Sequence, residues 1–177
     1  MVNHYIVIAE EGDFIGEKKL LAQHLTGHWN GDCWQTPDGI NWRIIVTGVG
    51  AINVIRTLKE LPKESVILNI GYAGSSNFEI GSAVQVSEVR LNHPNCQYPE
   101  PTLLLDAIPT AWLQSEGITS VDYSGADFVL ASDYKDCVFD MELAYIASFG
   151  FNRCYALKIV SDNLSLHDYR KLAAGVE

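Results

Sequence analysis

Positive charge is scarce in this chain: twelve lysines and arginines stand against twenty-two aspartates and glutamates, a formal net charge of -10. A nucleic acid polymer or an anionic membrane surface would be repelled by that excess, so neither is expected as a partner. Long apolar runs are missing as well. No stretch approaches the ~18 apolar residues of a membrane span, and Met1-Val2-Asn3-His4 opens without the basic residues or cleavage site of a secretory leader, so a cytoplasmic location is expected. Cysteine is sparse and scattered: Cys33, Cys96, Cys137 and Cys154 form no CxxC and have no matching histidine pattern, which reads as reduced thiols. His93 and Cys96 share a proline-rich loop, Asn92 to Pro101, but lack two further ligands, so no metal is expected. There is no repeat, low-complexity tract or linker. What is present is a chain of 177 residues, 47% hydrophobic and 19% charged, which fits one domain over 1–177 with a sizeable core.

Continuous apolar runs of strand length alternate with glycine turns and helical patterns. Tyr5 to Ala9 reads as a strand, followed by the acidic turn Glu10-Glu11-Gly12-Asp13 and a helix through Phe14, Leu20, Leu21 and Leu25, with Asp13 as a possible cap. Gly27 to Gly39 reads as a hairpin region with Pro37-Asp38-Gly39 as its turn. Trp42 to Val46 is a second strand, ending in Thr47-Gly48-Val49-Gly50 ahead of a helix carrying Ile52, Ile55 and Leu58. Asn53 stands where a dinucleotide fingerprint needs its third glycine, which argues against NAD. Ser65 to Ile70 is a third strand, running into Gly71-Tyr72-Ala73-Gly74. Three strand-to-glycine transitions separated by helical sequence predict an α/β fold with a mostly parallel sheet. Gly81 to Val89 and Ile118 to Tyr123 read as further strands, Pro109 to Glu116 as a short helix, and Arg153 to Val160 as the last clear strand.

Two stretches carry the chemistry. Asp140-Met141-Glu142 runs into an apolar segment, Leu143 to Phe151, of helical character, and carboxylates at such a place need partners. Lys158-Ile159-Val160-Ser161-Asp162 ends an apolar strand on a serine and an aspartate, where α/β proteins place their sites. For Glu142 a buried ion pair with Arg153 or Lys158 is the plain structural alternative. For Asp162 it is a turn or cap.

Val46-Thr47-Gly48-Val49-Gly50, Asn69-Ile70-Gly71-Tyr72-Ala73-Gly74, Asp140-Met141-Glu142-Leu143-Ala144, Val160-Ser161-Asp162 and Ser124-Gly125-Ala126-Asp127-Phe128 resemble, in order and spacing, the nucleoside phosphorylase and nucleosidase superfamily. The likeness is strongest to its methylthioadenosine/S-adenosylhomocysteine nucleosidase branch. The resemblance implies a three-layer α/β/α domain with a mixed, mostly parallel sheet, no organic cofactor, a homodimer or higher homo-oligomer, and a small-molecule nucleoside as ligand, with a place in purine nucleoside metabolism and methionine salvage. It also implies roles. Asp162 corresponds to the acid that protonates N7 of the leaving purine, with Ser161 orienting it. Glu142 corresponds to the carboxylate that holds the ribose hydroxyls, with Met141 packed against it. Phe128 corresponds to the aromatic stacked on the base, and Val129 to the place where backbone meets the base edge. The water-activating base falls in the turn after the first strand, with Glu11 the best candidate and Glu10 and Asp13 its rivals. Tyr72 stands where the family has a small residue beside the nucleophile. The arginines with which bacterial phosphorylases hold phosphate have no counterpart, the second position being Asn69, which favours water over phosphate. A purine nucleoside N-glycosidase is the expectation; a nucleoside-binding protein without turnover, a purine nucleoside phosphorylase and a futalosine hydrolase are the alternatives.

Overall fold

A computed structural model describes residues 2–10, 16–75, 77–91, 102–115, 117–124 and 136–163, the side chain of residue 124 excepted. Among these residues ten strands join in one sheet: β1 (His4–Ile8), β2 (His28–Asn30), β3 (Cys33–Gln35), β4 (Asn41–Val46), β5 (Val66–Gly74), β6 (Ala83–Leu91), β7 (Thr102–Leu104), β8 (Ile118–Ser124), β9 (Cys137–Asp140) and β10 (Arg153–Asp162). Three helices are described, α1 (Lys19–His24), α2 (Ala51–Leu58) and α3 (Leu143–Ala147), with a 3-10 turn at Thr110–Trp112.

The sheet is mixed. Its long ladders are parallel, β5 with β10 from Val66 to Gly74 and β6 with β8 from Val84 to Leu91, whereas no antiparallel ladder exceeds three residues. Strand β5 is the hub. It pairs with β1 along its first half, with β10 along its length and with β9 at Gly74. Because β10 also pairs with β6, the strands β5, β10, β6, β8 and β9 close into a ring, and β1, β4, β3 and β2 extend from it as an open wing.

Alternation along β1 and β5 explains how both faces are covered. Ile6, Ile8, Leu68 and Ile70 pack with Leu20, Leu21 and Leu25 from α1 and its end, while Tyr5, Val7 and Ile67 pack with Val54 and Leu58 of α2 and Ile146 of α3. Among the described residues helix is a minor component, its three pieces being six, eight and five residues long.

Several expectations change. On α2 the buried face is Val54 and Leu58, and Ile52 and Ile55 are 71% and 48% exposed. The segment from Leu143 stays helical only to Ala147, since Gly150 takes a φ of 69°, a left-handed turn that ends it well before Phe151. The last strand runs two residues past Val160, through Ser161 and Asp162. Asn53, at the position of the missing third glycine, lies against Gly48, where a Cβ would stand 3.0 Å from Asn53 Cγ, and its Nδ2 donates to Val49 O at 2.7 Å. No described helix is long and apolar enough to cross a membrane.

Candidate active site

Gly71 is the floor of the site. In-register neighbours on parallel strands project to the same side, so Lys158, paired with Gly71, rises beside a residue that has no side chain. Glu17 fills that gap: a Cβ on Gly71 would stand 3.2 Å from Glu17 Oε2 and 3.3 Å from Oε1. Glu17 reaches this position because it sits one turn ahead of Leu20 and Leu21, on the same buried stripe, just before α1 begins. Its Oε2 accepts from Ala9 N–H at 2.8 Å, and the backbone N–H groups of Glu10 and Tyr72 add to that hold. Burial pushes its carboxyl up to about 7, with the Lys158 charge and the backbone donors opposing.

The second carboxylate arrives from β9 and α3. Asp140 Oδ2 accepts from Lys158 Nζ at 2.8 Å and from the N–H groups of Glu142 at 3.1 Å and Leu143 at 2.9 Å, donors that the first turn of a helix leaves without partners. Asp140 therefore both holds the backbone at the start of α3 and serves as the counter-ion of Lys158. Glu142, two residues further, accepts from the N–H of Gly50 at the start of α2, while its Oε2 is buried without a partner. Burial and the neighbouring Asp140 push its carboxyl up to about 8, and Lys158 again opposes. For Lys158 burial works the other way, but Asp140, Asp122 and Glu142 outweigh it and hold the ammonium above its ordinary range.

Asp162 ends β10, where the register with β5 shifts between Val160 and Asp162. A bulge of this kind re-aims the side chains beyond it. Ser161 Oγ donates to Asp162 Oδ2 at 2.7 Å, and the Asp162 carbonyl accepts from Ser75 N–H at 3.0 Å, so the carboxylate is held in place although only 6% exposed.

Tyr72 lies on β5, Ser161 and Asp162 at the end of β10 beside it, and Glu142 at the start of α3. Tyr72 is half-buried, and burial together with the Glu17 charge pushes its phenol up to about 12. Met141 is 49% exposed. Glu11, Asp13, Phe128, Val129, His93 and Cys96 lie outside the described residues. Asn69, expected in place of an arginine clamp, is buried and donates through Nδ2 to Val7 O at 2.9 Å, bridging β5 to β1. Among the described residues no three or more His, Cys, Asp or Glu side chains form a group that could hold a metal ion.

Sequence reasoning missed Glu17 and the tie between Lys158 and Asp140. The signal for Glu17 was its i, i+3, i+4 spacing with Leu20 and Leu21, which assigns a carboxylate to a buried helix face. The signal for Lys158 was a single charge in the middle of an otherwise apolar strand. The arrangement offers two carboxylates poised between charged and neutral forms near pH 7, one fixed cation that favours their charged forms, and a hydroxyl-oriented aspartate at the strand end.

No protein-family model matches the chain, and no curated protein matches it by sequence. Solved structures do match. The S-adenosylhomocysteine nucleosidase of Streptococcus pyogenes has a TM-score of 0.67 at 15% identity, covering 99% of this chain and 92% of that one. The 5'-methylthioadenosine/S-adenosylhomocysteine nucleosidase of Helicobacter pylori has 0.66 at 16%, covering 99% and 92%. A nucleosidase of Chlamydia trachomatis bound to adenine has 0.65 at 17%, covering 98% and 90%. The chain has the fold of the 5'-methylthioadenosine/S-adenosylhomocysteine nucleosidases.

Proposed function

We propose that the protein is a nucleosidase that hydrolyses the N-glycosidic bond of an adenine-type nucleoside of the methylthioadenosine or S-adenosylhomocysteine kind. One observation carries this reading: Glu17 and Glu142, from opposite parts of the chain, act on one buried cation beside Gly71, and Ser161-Asp162 ends the strand that bears this cation.

In this reading Asp162 gives its proton to N7 of the leaving purine, which relieves the negative charge that would otherwise build on the base as the bond stretches. Ser161 fixes the direction of that proton. The unpartnered Oε2 of Glu142 accepts from the ribose hydroxyls, and the carboxylate's charge favours the oxocarbenium-like sugar. Glu17 takes a proton from the attacking water, a role that requires its charged form and hence the influence of Lys158. Phe128 and Val129 hold the base, Met141 packs beside the sugar, and Tyr72 borders the nucleophile. Glu11 remains a second candidate for the base. The outer helices form the flanks of a three-layer α/β/α domain, and the chain works in the cytoplasm as a homodimer or higher homo-oligomer, which sedimentation would test.

Water is favoured over phosphate because the buried lysine is already bonded to Asp140 and Asn69 is bonded to Val7. The test is to incubate the protein with methylthioadenosine, S-adenosylhomocysteine, inosine and futalosine, with and without phosphate, and follow free base. Adenine release without phosphate supports the proposal. Release that needs phosphate would make the protein a phosphorylase, and no release from folded protein would favour a binding protein.

A further inference from the structure

Behind the site lies a carboxylate that the proposed mechanism does not use. Asp122 on β8 is 0% exposed and stands in an apolar row, with Val89 of β6 on one side and Val138 of β9 on the other, both also 0% exposed. Neither of its oxygens has a hydrogen-bond donor. Its polar neighbour is another carboxylate, Asp140, two residues beyond Val138 and so on the same side of β9. A proton held between the two carboxyl groups removes one buried charge and supplies the donor that Asp122 lacks.

We infer that Asp122 is kept as a neutral carboxylic acid that donates its proton to Asp140, and that it serves as a positioning residue for the array through which Lys158 acts on Glu17 and Glu142. The catalytic half of this inference rests on the nucleosidase reading; the protonation half does not. The groups acting on Asp122 are Asp140 from β9, Lys158 from β10 and Glu142 at the start of α3, while Cys137, on the alternate side of β9, feels its charge. From β6 it meets Val89, and Glu88 and Arg90, on the alternate side of that strand, pair with each other at 3.6 Å. Burial, then Asp140, hold the Asp122 carboxyl well above its ordinary range, and the Cys137 thiol, pushed up to about 11 by burial, is neutral too. The described charges around Asp140 therefore reduce to one cation, Lys158, and the carboxylates of Asp140, Glu142 and Glu17. An ionised Asp122 would add a further negative charge beside Asp140 and drive Glu142 further toward its neutral form. The donated hydrogen bond also draws charge away from Asp140, which weakens the repulsion of Glu142.

Two variants separate the possibilities. Asp122→Asn keeps a donor without a titrating proton, and Asp122→Leu removes the donor altogether. The infrared difference spectrum of wild type minus D122N at pH 8 is expected to contain a protonated-carboxyl C=O band; loss of a carboxylate band in its place would overturn the inference. In the base-release assay, D122N is expected to keep the acid limb of the wild-type pH profile, and D122L to move it to higher pH with at least a tenfold lower rate at pH 7. An equal displacement in both variants would overturn the positioning role. If wild type itself releases no base, the nucleosidase reading fails, and the infrared band still decides the protonation state.

Discussion

Lys158 Nζ stands 2.8 Å from Asp140 Oδ2, with the two side chains 3% and 2% exposed. The two residues belong to β10 and β9, strands that do not pair with each other but both pair with β5. The ion pair therefore crosses the closed part of the sheet and ties the residue that holds the start of α3 to the strand that carries Asp162. A buried pair of this kind contributes little against an apolar replacement of both partners, but breaking it strands a charge.

Replacing Lys158 by Met is accordingly expected to lower stability by about 3–5 kcal/mol, because Asp140 would be left without its counter-ion. Urea denaturation measures this. Lys158→Met combined with Asp140→Asn should recover part of the loss, and an additive result would show that the two residues are not coupled.

Glu17 gives a pH prediction with a definite sign. Its carboxyl rises from 4.5 to about 7 on folding, so the native state binds the extra proton between those values. Its contribution to stability is full below about 4.5 and is lost as pH rises through about 7. Glu17→Gln should melt above wild type at pH 8, with the difference vanishing near pH 4, while base release falls by at least about a hundredfold. In wild type, kcat/KM should decline as pH drops below about 7, where Glu17 takes up its proton.

Gly71→Ala tests the floor of the site. The added Cβ would meet Glu17 Oε2 at 3.2 Å, tighter than ordinary contact, and Gly71 has no left-handed backbone to strain. Glu17 must give by a few tenths of an ångström. Stability should change by less than about 1 kcal/mol, while base release drops roughly tenfold or more through misplacement of the carboxylate. Urea denaturation and single-turnover kinetics read the two effects separately.

Asp162→Asn removes the proposed proton donor and should reduce base release by about 10²–10⁴-fold with the fold intact. Glu142→Gln should weaken ribonucleoside binding, which calorimetry would register. Wild-type turnover in the first variant, or unchanged binding in the second, would contradict the assigned roles.

Much of the architecture was legible because β5 and β10 are long, largely apolar runs that end at Gly74 and at Ser161-Asp162, and a strand buried on both faces leaves that mark in sequence. The hairpin turn at Pro37-Asp38-Gly39 was legible from turn chemistry, and Gly39 does take a φ of 84°. The short strands β7 and β9 were not, since three or four residues carry no measurable period. Nor was the buried face of α2, where apolar Ile52 and Ile55 point outward, because an apolar residue on the surface breaks no rule that a sequence can reveal.

The sequence by itself determined the longer strands β1, β4, β5 and β10, the glycines at the ends of β4 and β5, and that Glu142 and Asp162 sit at element ends. These are local matters of periodicity and backbone freedom. Tertiary structure alone decided that β5, β10, β6, β8 and β9 close into a ring, that Lys158 pairs with Asp140 while Arg153 goes to Asp106 at 3.0 Å, and that Glu17 enters the space above Gly71. Those outcomes depend on which charges are taken out of water together. That cost belongs to pairs of residues far apart in the chain, and no single stretch of sequence contains it.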